Sequence, residues 1–412
     1  MPVASDTALP PAEVSSLATN GISTLTPQPS PPSSPTPQNA PDLTGETILL
    51  VHLCDRTGLF SAAHASAIQA VEDLVGTINV KGGIFGAMLD LQLADTEGTT
   101  GGAQSALARM IRQNGEGPLV LICAPQAEAA VREGLNEDEI PALTPGLFTQ
   151  PGGYLFGLDA SPKDHFSYFI QNLLDHWNLW RPDAAPDEIR VAIIAWPQDI
   201  AGDLANQAIL EGLEDAQLEI VMQAELAAAT AANVFDLIYQ ARDQNANVIY
   251  TNARGFGLAA LLNALQDLGL RQRFVVAASA LSFDAQVYEH LHDTSYAEGL
   301  LLTSTWAWWS ETAIAGNVEL AALQPEVEDR DWGYLQMAGA VSVARRALEE
   351  AILTGGFEEL SPETVFAALE DMQDYPALGG LFVVDYSGNV RSLTELRMWQ
   401  MGAKDWELFL TE

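Results

Sequence analysis

Short apolar runs alternate with longer stretches of helical period along most of this chain. "ILLVHL", from Ile48, is continuous rather than alternating, the signature of a strand buried on both faces. A polar break, "CDRTGLFS", leads into the helical "AAHASAIQAVEDLVGTIN", then the strand "GAMLDLQLA" and the helix "AQSALARMIRQ". "PLVLIC", "AEAAVREGL" and "IPALTP" continue as strand, helix and strand. A second series starts at "RVAIIAW" and runs through "DLANQAILEGLEDA", "LEIVMQAEL", "AANVFDLIYQARDQ", "NVIYTNA" and "GLAALLNALQDLG" to "RFVVAAS" and "GLLLTST". Strands separated by helices pair in parallel through right-handed crossovers. Two such series, joined near Tyr154 to Pro162, predict two α/β lobes.

Ligands of open parallel sheets sit beyond the carboxyl ends of the strands. The loops to watch are therefore Thr57 to Ser61, Ala124 to Gln126, Thr144 to Phe148, Trp196 to Asp199, Thr251 to Arg254 and Ser279 to Phe283. Residues 1–45 stand apart. "TLTPQPSPPSSPTPQNAPDL" is too rich in Pro, Ser and Thr to pack a core and reads as a disordered tether, with a reach on the order of 100 Å.

Composition narrows the function. The 55 acidic residues against 18 basic ones give a net charge of -37, which repels phosphate backbones and makes nucleic acid an unsuitable partner. No apolar run is long enough to span a bilayer, and the N-terminus lacks the basic and apolar regions of an export signal. A cytosolic protein and an exported one whose signal has been removed both fit. Neither a phosphate-binding P-loop nor a G-x-S-x-G elbow occurs. "GFGLAA" follows a strand and opens a helix, but the next strand ends without the acid that would hold a ribose, so small residues easing helix packing explain it better. His290 and His292 read as a surface pair, and no metal or cofactor is expected. Cys54 and Cys123 end the first and third strands, neighbours in a sheet of order 2-1-3-4. A disulfide and two small buried thiols are both compatible with that placement.

The order of segments resembles the type I periplasmic binding proteins of the branched-chain amino acid class. "INVKGGIFGAMLDLQLADTEG" carries that family's turn at Ile78, Asn79, Gly82, Gly83, Ile84 and Gly86, with Asp95 in the following loop. "IPALTP", "YLFGLDASPKDHFSYFIQNL", "EGLLLTSTW", "DWGYLQMAGAVSVARRALEEA" and "LFVVDYSGNV" keep the family's order. The resemblance implies two doubly wound parallel-sheet lobes joined by three crossovers, the first lobe from 46–157 and 305–378 and the second from 158–304 and 379–412. It implies a non-enzymatic, extracytoplasmic solute receptor of an ABC importer. Its partners would be a small-molecule solute and a permease, it would be a monomer, and its only membrane link would be a removed N-terminal anchor. A ligand-sensing domain of a signalling system, or an enzyme on a related two-lobed scaffold, is the alternative.

The same resemblance places the ligand among Phe60, Ser61, Ala124, Pro125, Gln126, Thr144, Gly146, Phe148, Trp196, Asp199, Asn252 and Ser279. Where the family grips a carboxylate with hydroxyls, this chain has Cys123-Ala124-Pro125-Gln126. The ammonium-binding acid falls near Ser279. A buried ammonium without a carboxylate is costly, so the loops favour an aromatic or aliphatic acid or an amide over a free α-amino acid, unless Asp199, Asp284 or Glu311 substitutes. Phe60, Phe148 and Trp196, with Trp306, Trp308 or Trp309, are candidate apolar walls.

Overall fold

The structure is a computed structural model that describes residues 40–410 except 59, 115–116, 146–152, 181–188, 196–218, 227–229, 327–329 and 404. The tether (apart from its last residues) and the helix expected over "DLANQAILEGLEDA" lie outside the described residues.

The first lobe is built from β1 (Thr47–Cys54), α1 (Ser61–Val80), β2 (Met88–Asp95), α2 (Thr100–Asn114), β3 (Val120–Ile122), α3 (Pro125–Glu137), β4 (Ala142–Thr144) and β5 (Leu155–Gly157). Its five strands are parallel, in the order β2-β1-β3-β4-β5. β1 is the apolar run at Ile48, and Leu50, Leu53 and Cys54 are fully buried, as a strand covered on both faces requires. The glycine turn after α1 is structural. Gly83 has φ +70°, and a side chain there would drive into the Ala87 carbonyl. Asn79 clamps the following strand, its amide bonding both the N–H and the C=O of Leu89, at 2.8 and 2.9 Å. Asp95 closes the neighbouring loop by accepting from the amides of Arg56 and Thr57 and from the Thr57 hydroxyl.

The second lobe contains α4 (Pro162–Trp180), β6 (Arg190–Ala195), β7 (Glu219–Glu225), α5 (Ala231–Asp243), β8 (Val248–Thr251), α6 (Phe256–Asp267), β9 (Val275–Ser279), α7 (Ala285–His290) and β10 (Leu301–Ser304). The chain then adds α8 (Ala315–Leu323), the long α9 (Trp332–Gly355), α10 (Pro362–Glu370), a hairpin of β11 (Tyr375–Ala377) and β12 (Phe382–Val384), and a final pair, β13 (Arg397–Met401) and β14 (Trp406–Leu410). α9 packs along α1, against the first sheet. The second sheet runs β14-β13-β10-β9-β8-β6-β7. Its last two strands are antiparallel, unlike the parallel pairing the alternation predicts, because the link from β13 to β14 is far too short for a crossover. β5, read from sequence only as the start of the crossover, is a fifth strand of three residues.

The two lobes are joined by three crossovers that meet at Asp159. Its backbone carbonyl accepts from Leu393 of the third crossover, and its carboxylate accepts from the N–H and hydroxyl of Thr305 in the second. Trp306 donates its indole N–H to the Leu158 carbonyl at 2.8 Å. His165 lies 3.2 Å from the Asp159 carboxylate and bonds the Thr303 hydroxyl at 2.8 Å. All of these side chains are buried.

Candidate functional site

The strand ends of both lobes face one another, and α1 of the first lobe touches α7 of the second. Between them lies a charged constellation. In the first lobe, His64, in the first turns of α1, stands 3.1 Å from the Asp55 carboxylate that follows β1. Asp55 also accepts from the Thr96 hydroxyl and from the Gly98 amide. Burial alone would raise this carboxyl, but His64, Thr96 and Gly98 outweigh it and hold it below the ordinary range. Asp331 caps α9, accepting from the Tyr334 amide at 2.8 Å and the Ser66 hydroxyl at 2.6 Å, and burial raises its carboxyl.

On α3, Glu128 is almost fully buried. It pairs with Arg132 one turn along and accepts from the Thr144 hydroxyl at 3.2 Å. Burial pushes it up to about 7, against the pull of Arg132, Thr144 and Arg254. The last of these belongs to the second lobe, in the loop after β8. Next to it, Gly255 has φ +48° and opens α6. A side chain there would meet the Gln286 amide and the Asp284 carboxylate, both at the start of α7. Asp284 accepts from the Gln286 amide N–H at 2.9 Å. Its carboxyl is pushed up to about 6, by burial first, with Asp331 raising it and His64 and Arg254 lowering it. Charges on both lobes therefore act on the same groups.

The sequence-expected residues divide in three. Phe60 and Ser61 at the start of α1, Ala124, Pro125 and Gln126 at the start of α3, Thr144 ending β4, Asn252 after β8 and Ser279 ending β9 all stand at or next to strand ends, as expected for a parallel sheet. Thr144 is not free for a ligand, because its hydroxyl is given to Glu128. Gly146, Phe148, Trp196 and Asp199 lie outside the described residues. Of the other proposed acids, Glu311 does not substitute, since Arg397 holds it at 2.6 Å, whereas Asp284 lies within the constellation. Trp306, Trp308 and Trp309 are core residues whose indoles donate to Leu158, Asp405 and Asp331. Sequence reading missed His64, Glu128 and Asp331. Asp331 carries a signal that would have found it, an Asp directly ahead of a long helix.

Two α/β lobes joined by three crossovers, with charged groups of both brought together at the strand ends, are the architecture of a bilobed binding protein. Residues 47–400 match the family described as periplasmic binding protein, and the chain belongs to that family. The fold is shared with a valine-bound branched-chain amino acid ABC transporter protein from Thermus thermophilus, with a TM-score of 0.75 and 18% identity over 89% of this chain and 96% of that one. It is also shared with a fatty acid ABC transporter substrate-binding protein from Thermomonospora curvata, with a TM-score of 0.72 and 16% identity over 90% and 93%. An isoleucine-bound branched-chain amino acid transporter substrate-binding protein from Streptococcus pneumoniae gives 0.71 and 15% identity over 88% and 99%. No curated protein matches the chain. Family membership implies a solute-binding role, a small-molecule solute and a permease as partners, and an extracytoplasmic setting. Among the described residues, no helix is long and apolar enough to cross a membrane.

Proposed function

We propose that this protein is the receptor of an ABC importer, closing on a small organic solute that is not a standard α-amino acid and delivering it to a permease. It acts as a monomer without catalysis, held by its N-terminal tether. An aromatic or aliphatic acid, or an amide, is the solute class that the cleft suits. The observation that carries this reading is the commitment of Thr144 to Glu128. Among the described residues of the loops after β3 and β4, Ala124 and Pro125 have no hydroxyl and Thr144 has given its own to Glu128, which supports a solute without an amino-acid carboxylate. Arg254, on the opposite lobe, supplies a guanidinium suited to a carboxylate or an amide oxygen.

A second reading, a free α-amino acid, draws support from Asp284, whose buried carboxylate could take the ammonium. A thermal-shift screen separates the two. Ligand at 100 times its Kd stabilises by about 2.7 kcal/mol. Carboxylates or amides that raise the melting temperature, with leucine, isoleucine and valine inert, support the first reading. A strong response to those three amino acids sinks it and favours the second.

A further inference from the structure

One buried group takes no part in the cleft. His52, in the middle of β1, is 1% exposed, and its Nε2 has no hydrogen-bond partner. A buried nitrogen without a partner calls for a physical explanation, and its neighbours supply one. Cys54 lies two residues further along β1, on the same face of the strand. Cys123 follows β3, the adjacent strand, and the two cysteines form a disulfide with Cα atoms 5.2 Å apart. One ring nitrogen of His52 and the two sulfurs all lie within 4.8 Å of one another. The three residues sit on two neighbouring strands of the sheet, so the backbone fixes their spacing whether or not the sulfurs are bonded.

We propose that, once the Cys54–Cys123 disulfide is opened, His52, Cys54 and Cys123 form a buried three-ligand site for a thiophilic d10 cation, Zn2+ or Cu+. Opening the bond takes two electrons and two protons from a dithiol reductant, which leaves as its own disulfide. The cation then displaces the two thiol protons to solvent, and each sulfur binds as thiolate beside the neutral imidazole. Two thiolates and one imidazole are a soft donor set that selects such ions over Mg2+ or Ca2+. In the oxidised protein the sulfurs are bonded to each other and this site does not exist. It is independent of the identity of the cleft ligand.

The test uses the full chain, reduced anaerobically with a phosphine that is then removed. A chromogenic thiol titration should find both thiols free, and circular dichroism should be unchanged. Co2+ serves as a spectroscopic probe, followed by Zn2+ in competition. The reduced protein should bind one Co2+ with a sulfur-to-cobalt charge-transfer band, and Zn2+ should displace it. The oxidised protein and the folded C54S/C123S variant should show no such band, and His52→Ala should weaken binding at least tenfold. A folded, fully reduced protein that develops no charge-transfer band overturns the proposal. So does a band of undiminished affinity in His52→Ala.

Discussion

Replacing Asp284 by asparagine should make the ligand-free protein more stable at neutral pH. The carboxyl is raised from an ordinary 3.8 to about 6, mainly because the cleft buries it. At 1.36 kcal/mol per unit, that shift of about two units corresponds to up to about 3 kcal/mol of penalty for the ionised form. Below about pH 4 the group is protonated in the folded and unfolded chains alike, and no penalty exists. As the pH rises past 3.8 the unfolded chain gives up its proton first, while the folded chain holds on until about 6. Stability contributed by the proton is thus lost across that window and stays lost above it. Asparagine carries no charge and still caps α7, because it can accept the Gln286 amide as aspartate does.

Urea denaturation of both proteins between pH 4 and 8 measures the difference. The curves should nearly coincide at pH 4 and separate through pH 5 and 6. At pH 7.5 the variant should be ahead by about 1–3 kcal/mol. Equal stability at pH 7.5, or a wild type that gains on the variant as pH rises, refutes the reasoning. The same pair bears on the ligand. A solute whose positive group pairs with Asp284 should bind the variant at least tenfold more weakly, and an uncharged solute should not.

Three further outcomes follow from the packing. Gly339→Ala on α9 would drive a methyl into the Phe382 ring, so a loss of about 1–3 kcal/mol is expected by denaturation, partly recovered by Phe382→Leu. Trp306→Phe removes the indole bond to Leu158 and leaves a void at the crossovers, costing about 2–4 kcal/mol in the same assay. The disulfide joins residues 69 apart, so the C54S/C123S variant should lose about 4 kcal/mol by loop entropy, and no loss at all would mean that the unfolded chain is not the state it constrains.

The scaffold was legible because its signals are local. β1 is one uninterrupted apolar run, and the Asn79 to Gly86 turn needs glycines where the backbone turns left-handed. The proximity of Cys54 and Cys123 followed from strand order alone, although only the structure decides between a disulfide and two thiols. Elements of three residues were harder. β5 carries too few positions for a period to show, and the antiparallel β13–β14 edge depends on where the chain returns from. The constellation was the least legible part, because Asp55, His64, Glu128, Arg254, Asp284 and Asp331 are neighbours only after both lobes fold. Thr144 shows the problem at one residue. Its position at the end of a strand marks it as a candidate ligand hydroxyl, and nothing in the sequence around it reveals that Glu128, sixteen residues earlier, takes that hydroxyl.

In a receptor that closes on its solute as proposed above, these same groups would couple closure to selectivity. The crossovers are tied together by buried hydrogen bonds around Asp159, apart from the charged constellation. A ligand shifts the balance between open and closed lobes only by contacts it makes better in one than in the other. With α1 against α7, Asp284 lies close to Asp331, and burial disfavours the ionised form of both carboxyls. Ionising Asp284 above about pH 6 therefore adds a cost to this arrangement of the lobes. A solute that brought hydrogen-bond donors to Asp284 and an oxygen to Arg254 would relieve that cost. The amide proposed above as solute would do both with one group.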